Sequence, residues 1–318
     1  MDVIAPPAMG VRRHWADLPA SVRSAVEDIL GARVVEARSQ SGGFSPGVAA
    51  RVRLADGRRA FVKAVSAETN PHSPDLHRAE ARHTAALPPG APVPGLLGSY
   101  DDGTVVALVL QDIDGRQPRV PWDPAELERV LAAVGELGAA LTPAPFDAPA
   151  VAVSEAEAFS GWRNLLAAGD PGRLDPWAAR HLGLLAELES GWAEPATGDS
   201  LAHSDLRADN ILLTDDRVVF VDWPHALRAA PWFDLMLLLP SVAAQGGPDP
   251  EAVFTAHPLG RNADPAGVTA VLAALTGYFV SSSLKPDPPG LPTLRAFQYA
   301  QGAAALRWLR GRLGPGAP

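Results

Sequence analysis

Two carboxylates and an amide gather in the second half of the chain. Asp205 and Asn210 lie five residues apart in His203-Ser204-Asp205-Leu206-Arg207-Ala208-Asp209-Asn210, and Asp222 follows twelve residues after Asn210. One carboxylate can take or orient a hydroxyl proton. The other two side chains offer hard oxygen donors. That is the set phosphoryl transfer requires: a base for the attacking oxygen, and ligands for Mg2+. The apolar runs Ile211-Leu212-Leu213 and Val218-Val219-Phe220-Val221 read as short strands that hold these groups on loops. Asn210 is one of only four asparagines.

A second group lies far upstream. Of the 27 basic residues only Lys63 and Lys285 are lysines. Lys63 falls between apolar neighbours in Phe61-Val62-Lys63-Ala64-Val65. An ammonium on such a strand either snorkels from an edge or needs an anionic partner, because burying it unpaired is costly. Glu80 and Glu68 are the acids near it in sequence. Before it, Ser41-Gly42-Gly43-Phe44-Ser45-Pro46-Gly47 joins two expected strands. Glycines at Gly42 and Gly43 let backbone N–H groups approach a phosphate, although a plain hairpin turn has the same composition. Pro46 lacks an N–H, so the loop is one donor short. Neither lysine follows a Walker-type glycine run.

The elements that must position these groups change character midway. Trp15 to Leu30 has helical periodicity, ending at Gly31. Val34 to Gln40, Val48 to Leu54 and Ala60 to Val65 read as strands, with Asp56-Gly57 as a hairpin turn. Ser73-Pro74 starts a helix with an N-cap serine, running to about Leu87. Strands at Leu96 to Tyr100 and Thr104 to Gln111 complete a βββαββ order. From Asp123 onward the pattern is helical: Ala125 to Leu141, Glu155 to Ala168 and Pro176 to Trp192, then Trp232 to Leu313, with short strands near Leu201, Ile211 and Val219. This is an α+β plan of two lobes, a small antiparallel-sheet lobe over residues 1–113 and a larger, mainly helical lobe over 114–318. The hinge falls near Gln111 to Gly115, and a ligand is expected in the cleft between the lobes.

Composition narrows the field. The chain has 318 residues, 47% of them hydrophobic, enough for substantial cores. The net charge of −9 argues against a nucleic-acid groove and suits a cationic ligand. With no cysteine, disulfides and thiolate-bound zinc are excluded. The N-terminal residues lack a signal-type apolar core, and the apolar stretch Ala266 to Val280 is short for a bilayer. A cytoplasmic protein without membrane partners is the expectation.

His203, Asp205 and Asn210 match the pattern His-x-Asp-x-x-x-x-Asn. With Lys63, Glu80 and Asp222 in the same order, the chain from about Val34 to Leu239 resembles the aminoglycoside phosphotransferase family within the protein-kinase-like superfamily. The resemblance implies a two-lobe protein-kinase-like fold and transfer of a phosphoryl group from ATP. It implies that Asp205 handles the acceptor proton and that Asn210 and Asp222 bind Mg2+. Lys63, held by Glu80, would contact the nucleotide phosphates beneath the Gly42-Gly43 loop. Backbone groups near Gln111 and Ile113 would meet adenine, with Leu212 packed under the ring. His203 would be structural, and Asp234, otherwise a plain helix N-cap, would brace the catalytic loop. Arg207 is either a stabiliser of charge on the transferring group or a surface arginine. Trp223-Pro224 after Asp222 departs from protein kinases and fits the small-molecule branch. The acceptor is then a small hydroxylated molecule, an antibiotic or a metabolite. An amine on it would find candidate partners in Asp112, Asp114, Glu155 and Glu157. The competing readings are a catalytically weak, regulatory nucleotide-binding protein and, last, a protein kinase.

Overall fold

The computed structural model describes residues 5–44, 46–169 and 171–314. The first part is a six-stranded sheet with a helix on each face. Strand β1 (Arg12–Arg13) is followed by helix α1 (Ala20–Leu30), then β2 (Val34–Ser39), β3 (Gly47–Leu54), β4 (Arg59–Ser66), helix α2 (Ser73–Ala86), β5 (Leu96–Asp101) and β6 (Val105–Gln111). The order across the sheet is β1-β3-β4-β6-β5, with β2 also pairing β3; every pairing is antiparallel except β1 with β3. Alternation of side chains explains the unbroken apolar run of β6. Val105, Ala107 and Val109 join Val22, Val26 and Leu30 of α1, whereas Val106, Leu108 and Leu110 pack with Phe61 and Ala81 on the α2 face.

The βββαββ order expected from sequence is present, with three differences. The two-residue β1 carries no periodicity and was not expected. Pro19 separates a short 3-10 turn, Trp15–Asp17, from α1, so one expected helix is two. Ser73 lies inside α2 rather than capping it; the side chain of Asn70 accepts from the N–H groups of His72 and Ser73 instead.

The second part is helical: α3 (Pro124–Ala140), α4 (Val151–Ser154), α5 (Gly161–Ala168), α6 (Pro176–Arg180), α7 (Leu182–Ser190) and α8 (Ala193–Ala196) precede β7 (Ser200–Ala202), β8 (Ile211–Leu213), β9 (Val218–Phe220) and β10 (Leu227–Ala229). Helices α9 (Phe233–Ala244), α10 (Pro250–Ala256), α11 (Pro265–Ser283) and α12 (Leu294–Leu313) complete it. The expected helix 155–168 is broken because Phe159 leaves helical geometry and Gly161 packs directly on the Gly277 carbonyl, where a side chain would collide. His181 divides the expected helix 176–192. Strand β10, unforeseen, pairs with β7. Helix α11 is longer than the apolar stretch read from sequence. It is long and apolar enough to cross a membrane, yet two thirds of it is buried inside the helical part, against α5, α7 and α12.

Candidate active site

The segment between β7 and β8 is fixed by Asp234. Its carboxylate accepts from the backbone N–H of His203 and of Ser204, both at 2.8 Å, so it braces this loop rather than capping α9. Ser204 has φ +68°, a left-handed conformation uncommon outside glycine, and the two bonds help hold it there. His203 is fully buried, and its two neighbours dictate its tautomer. The Val221 carbonyl, 2.9 Å from Nε2, can only accept, and the Asp205 N–H, 3.2 Å from Nδ1, can only donate. The ring is therefore neutral with its proton on Nε2, and burial lowers its pKa. With both nitrogens engaged by backbone, His203 ties two loops together and is no base.

Asp205 faces a cavity. Its carboxylate takes a hydrogen bond from Asn210 Nδ2 at 3.2 Å and an ion pair from Arg207, while Asn210 Nδ2 also donates to the Asp205 carbonyl at 2.9 Å. Burial pushes the Asp205 carboxyl up, and the Arg207 charge opposes that shift. A raised pKa makes its carboxylate a better proton acceptor. Arg207 is not the surface arginine of the alternative reading: its side chain is 13% exposed. It spans Asp205 and Asp209, the latter at 2.9 and 3.0 Å, and its guanidinium lies 5.4 Å from the Phe44 ring centre.

Lys63 on β4 meets both Glu80 oxygens, at 2.7 and 2.9 Å, and Asp222 Oδ1 at 2.5 Å. Sheet-to-helix packing thus selects Glu80 over Glu68 as its partner. Burial alone would push the ammonium down; the negative charges of Asp222 and Glu80 outweigh it and hold Lys63 at about 12. For Asp222 burial acts upward, and Lys63 overrides it and holds the carboxyl well below the usual range. Asp222 also has a positive φ, +73°. The Val221 N–H donates to the Asn210 carbonyl at 2.9 Å, and the His83 ring binds the Trp223 carbonyl at 2.8 Å, so the turn is anchored on both sides.

Two cavities meet at this centre. The first, about 410 Å³, is lined by Gly42, Gly43, Lys63 and Glu80 at one end and by Gln111, Ile113 and Leu212 at the other; Asn210 and Asp222 form part of its floor. Gly47, at the end of the glycine loop, has φ +106° and lies so close to the Ala64 carbonyl that no side chain would fit. Ser45 lies outside the described residues. Where β6 ends, the Gln111 N–H donates to the Gly95 carbonyl at 2.8 Å, and the Ile113 carbonyl accepts from Gly115 at 2.9 Å and Arg51 at 2.6 Å. The second cavity, about 370 Å³, holds Asp205, Arg207 and Glu155 among Phe159, Tyr278, Phe297 and Gln298. Asp222 and Glu80 line both.

Asp205, Arg207, Asn210, Asp222, Lys63, Glu80, Gly42, Gly43, Gln111, Ile113 and Leu212, all expected from the sequence, lie at one or other of these two cavities. Of the four acids expected near an acceptor amine, only Glu155 does so at the second cavity. Asp112 is instead held between Arg51 and Arg59, at 3.3 and 2.9 Å, Asp114 extends toward Arg59, and Glu157 is exposed on the surface. Tyr278, Phe297 and Gln298 were not singled out from the sequence, nor was Arg12, which lines the first cavity. No motif marks them; only their convergence in space does.

Asp222 and Asn210 suit magnesium. The Asn210 amide is 3% exposed and its nitrogen is committed to Asp205, which turns the oxygen end away from that residue. Among the described residues no three His, Cys, Asp or Glu side chains form a metal cage. A nucleotide-bound Mg2+ needs none, since one or two protein oxygens, phosphates and water complete its shell.

Solved structures with a similar architecture include small-molecule phosphotransferases and kinases by name. A thermostable mutant of aminoglycoside phosphotransferase APH(4)-Ia, in complex with ADP and hygromycin B, superposes with a TM-score of 0.61 at 14% identity, covering 93% of this chain and 100% of that one. A choline/ethanolamine kinase family protein from Mesorhizobium loti gives 0.57 at 18% identity, covering 89% and 90%. An amicoumacin kinase in complex with AMP-PNP, Ca2+ and Ami gives 0.55 at 9% identity, covering 92% and 95%. At such identities the likeness concerns the fold. No curated protein matches by sequence. The family model for the phosphotransferase enzyme family matches residues 41–270, a span that takes in the glycine loop, Lys63, the Asp205 loop and Asp222, and the chain belongs to that family.

Proposed function

We propose that this protein is a small-molecule kinase that moves the γ-phosphoryl group of ATP to a hydroxyl of an amine-bearing acceptor. One observation carries the reading: Asp205 opens onto one cavity, Lys63 and the glycine loop onto another, and the two share Asp222. Residues 1–113 would form the nucleotide lobe and 114–318 the catalytic and acceptor lobe. Adenine would sit over Leu212, bonded by the Gln111 carbonyl and the Ile113 N–H. Lys63 would hold the phosphates. Magnesium would be held by Asn210 and Asp222, and when bound it neutralises charge on the phosphates. Asp205 takes the proton of the acceptor hydroxyl as its oxygen bonds to phosphorus and ADP departs. Arg207 keeps Asp205 ionised and offers positive charge beside the transferred group.

Glu155 supports the amine. It is half-buried at the second cavity, and burial raises its pKa, opposed by His225 in the same cavity. A desolvated carboxylate of this kind favours a cation beside it. Around it Phe159, Tyr278, Phe279 and Phe297 alternate with polar groups such as Gln298 and Gln301, which suits an acceptor with an ammonium and both polar and apolar faces. Net charge and fold both accord with a cytoplasmic enzyme acting on a soluble metabolite or antibiotic.

The test is a mass-shift assay with ATP, Mg2+ and a panel of amino alcohols, aminoglycosides, peptide antibiotics and sugars, with Asp205→Ala as control. A product 80 Da heavier, the mass of an added phosphoryl group, formed only by the wild type, is expected. ATP binding without any product across the panel would favour the regulatory reading instead.

A further inference from the structure

The segment ahead of α1 is built as a strap across the two parts of the molecule. On one side, Ala5 N–H donates to Ala244 of α9 at 2.9 Å, Val11 N–H to Gly290 at 2.9 Å, and the Thr293 hydroxyl to the Pro7 carbonyl at 3.1 Å. Ala5 is buried with Ala244, Phe297, Ala300 and Ala304. On the other side, Met9 bridges to Gly42, Gly47 N–H donates to Val11, and Arg12 pairs with Gly47 in the one parallel contact of the sheet. Both parts therefore fix where Arg12 stands.

It stands against the glycine loop. Its guanidinium donates to the Gly42 carbonyl, and a methyl group on Gly43 would come within 3.1 Å of its Nη2. The same side chain lines the nucleotide-side cavity with Lys63, Asn210 and Asp222, and it is within electrostatic reach of Asp222 and Asp209.

Charge and donor number both call for a cation at this point. Lys63 shares one positive charge between two carboxylates, Glu80 and Asp222. Its surroundings are thus net negative where a polyphosphate must enter. Pro46 removes one N–H from the loop that would otherwise cradle the phosphates. A guanidinium presents a planar fork of donors that matches phosphate oxygens and keeps its charge when desolvated.

We infer that Arg12 is a phosphate-binding residue of the nucleotide site, delivered by the strap to the donor-poor side of the glycine loop. The inference rests on the kinase reading above. It makes the site of composite origin: a segment tied to the helical part supplies a cation for phosphates held by the sheet part.

Isothermal titration of the full chain with Mg-ATP, ADP and adenosine separates the possibilities, using wild type, Arg12→Gln and Arg12→Lys, each checked for an unchanged melting temperature. Arg12→Gln should bind Mg-ATP about tenfold or more weakly and adenosine within about twofold of wild type, while Arg12→Lys recovers part of the ATP affinity. Equal weakening for ATP and adenosine would assign Arg12 to loop structure and overturn the inference. Unchanged ATP affinity in Arg12→Gln would overturn it as well and leave the kinase reading standing. If wild type binds neither ATP nor adenosine, both fall together.

Discussion

The two cavities on either side of Asp222 are made by opposite means. On the proposed nucleotide side the polar groups are pre-paired: Lys63 with Glu80 and Asp222, Asp112 with Arg51 and Arg59, backbone bonds at the end of β6. The proposed acceptor side sets Phe159, Phe233, Phe297 and Leu275 around Asp205, Arg207 and Asp222, with Glu155 and His225 also at its wall. Groups that serve a constant ligand can be held in place by bonds within the protein, at the cost of being occupied before the ligand arrives. A wall that sets specificity works by shape and by a charge held apart from the reacting groups. Substitutions on the two sides should therefore fail differently, in nucleotide affinity on one and in acceptor choice on the other.

The largest effect is expected where the sides join. Asp205→Ala removes the proton acceptor and should lower turnover by on the order of 10³-fold, while Mg-ATP affinity by titration stays within a few-fold. Turnover equal to wild type would remove Asp205 from the chemistry. Lys63→Ala acts on the nucleotide side alone. It leaves Glu80 and Asp222 facing each other without a cation, so the KM for ATP should rise by about 10 to 100-fold with the KM for the acceptor little changed. A shift in the acceptor KM of the same size would mean the two cavities are not separable.

The seam itself should respond to pH through His77, which lines both cavities. Burial, and then the charge of Lys63, lower its pKa from 6.5 to about 4. The unfolded chain then takes up this proton first as pH falls. Stability is lost between about 6.5 and 4, by up to about 3 kcal/mol from this residue. Urea unfolding at pH 7 and pH 4.5 should show a smaller loss in His77→Gln than in wild type. Parallel losses would show that His77 titrates as in water.

The same contrast governs what could be read from the sequence. That Asp205, Asn210 and Asp222 come together was legible because a short segment carries them around strands β7, β8 and β9. The sheet was legible because β3, β4 and β6 are apolar-rich runs bounded by turn residues, with β4 alternating between buried and half-buried positions. Choosing Glu80 over Glu68 needed the packing of α2 on β4, which no local pattern records. Arg12 was illegible because a two-residue strand has no period, and its place depends on pairing with Gly47, 35 positions away. The acceptor wall was the least legible part. Glu155 was one of four acids read as candidates, but Tyr278 and Phe297 were not marked, because an aromatic in a helix looks the same whether it faces a core or a cavity. The break at Phe159 and Gly161, which aims Glu155 and Phe159 at that cavity, is set by contact with Gly277 on α11 rather than by any turn residue.

Glu155 offers the finest test of the contrast. If it holds an ammonium, Glu155→Gln keeps shape and hydrogen bonding but removes the charge, so the KM for an amine-bearing acceptor should rise about tenfold, roughly 1.4 kcal/mol, with turnover at saturation nearly unchanged. A hydroxyl acceptor of the same shape lacking the amine should be phosphorylated equally by both proteins, and Mg-ATP affinity should not move. A tenfold loss for the neutral acceptor as well would mean that Glu155 shapes the cavity and does not read charge. The acceptor side would then select by the shape of its wall alone, and the amine would have to be sought elsewhere in the cleft.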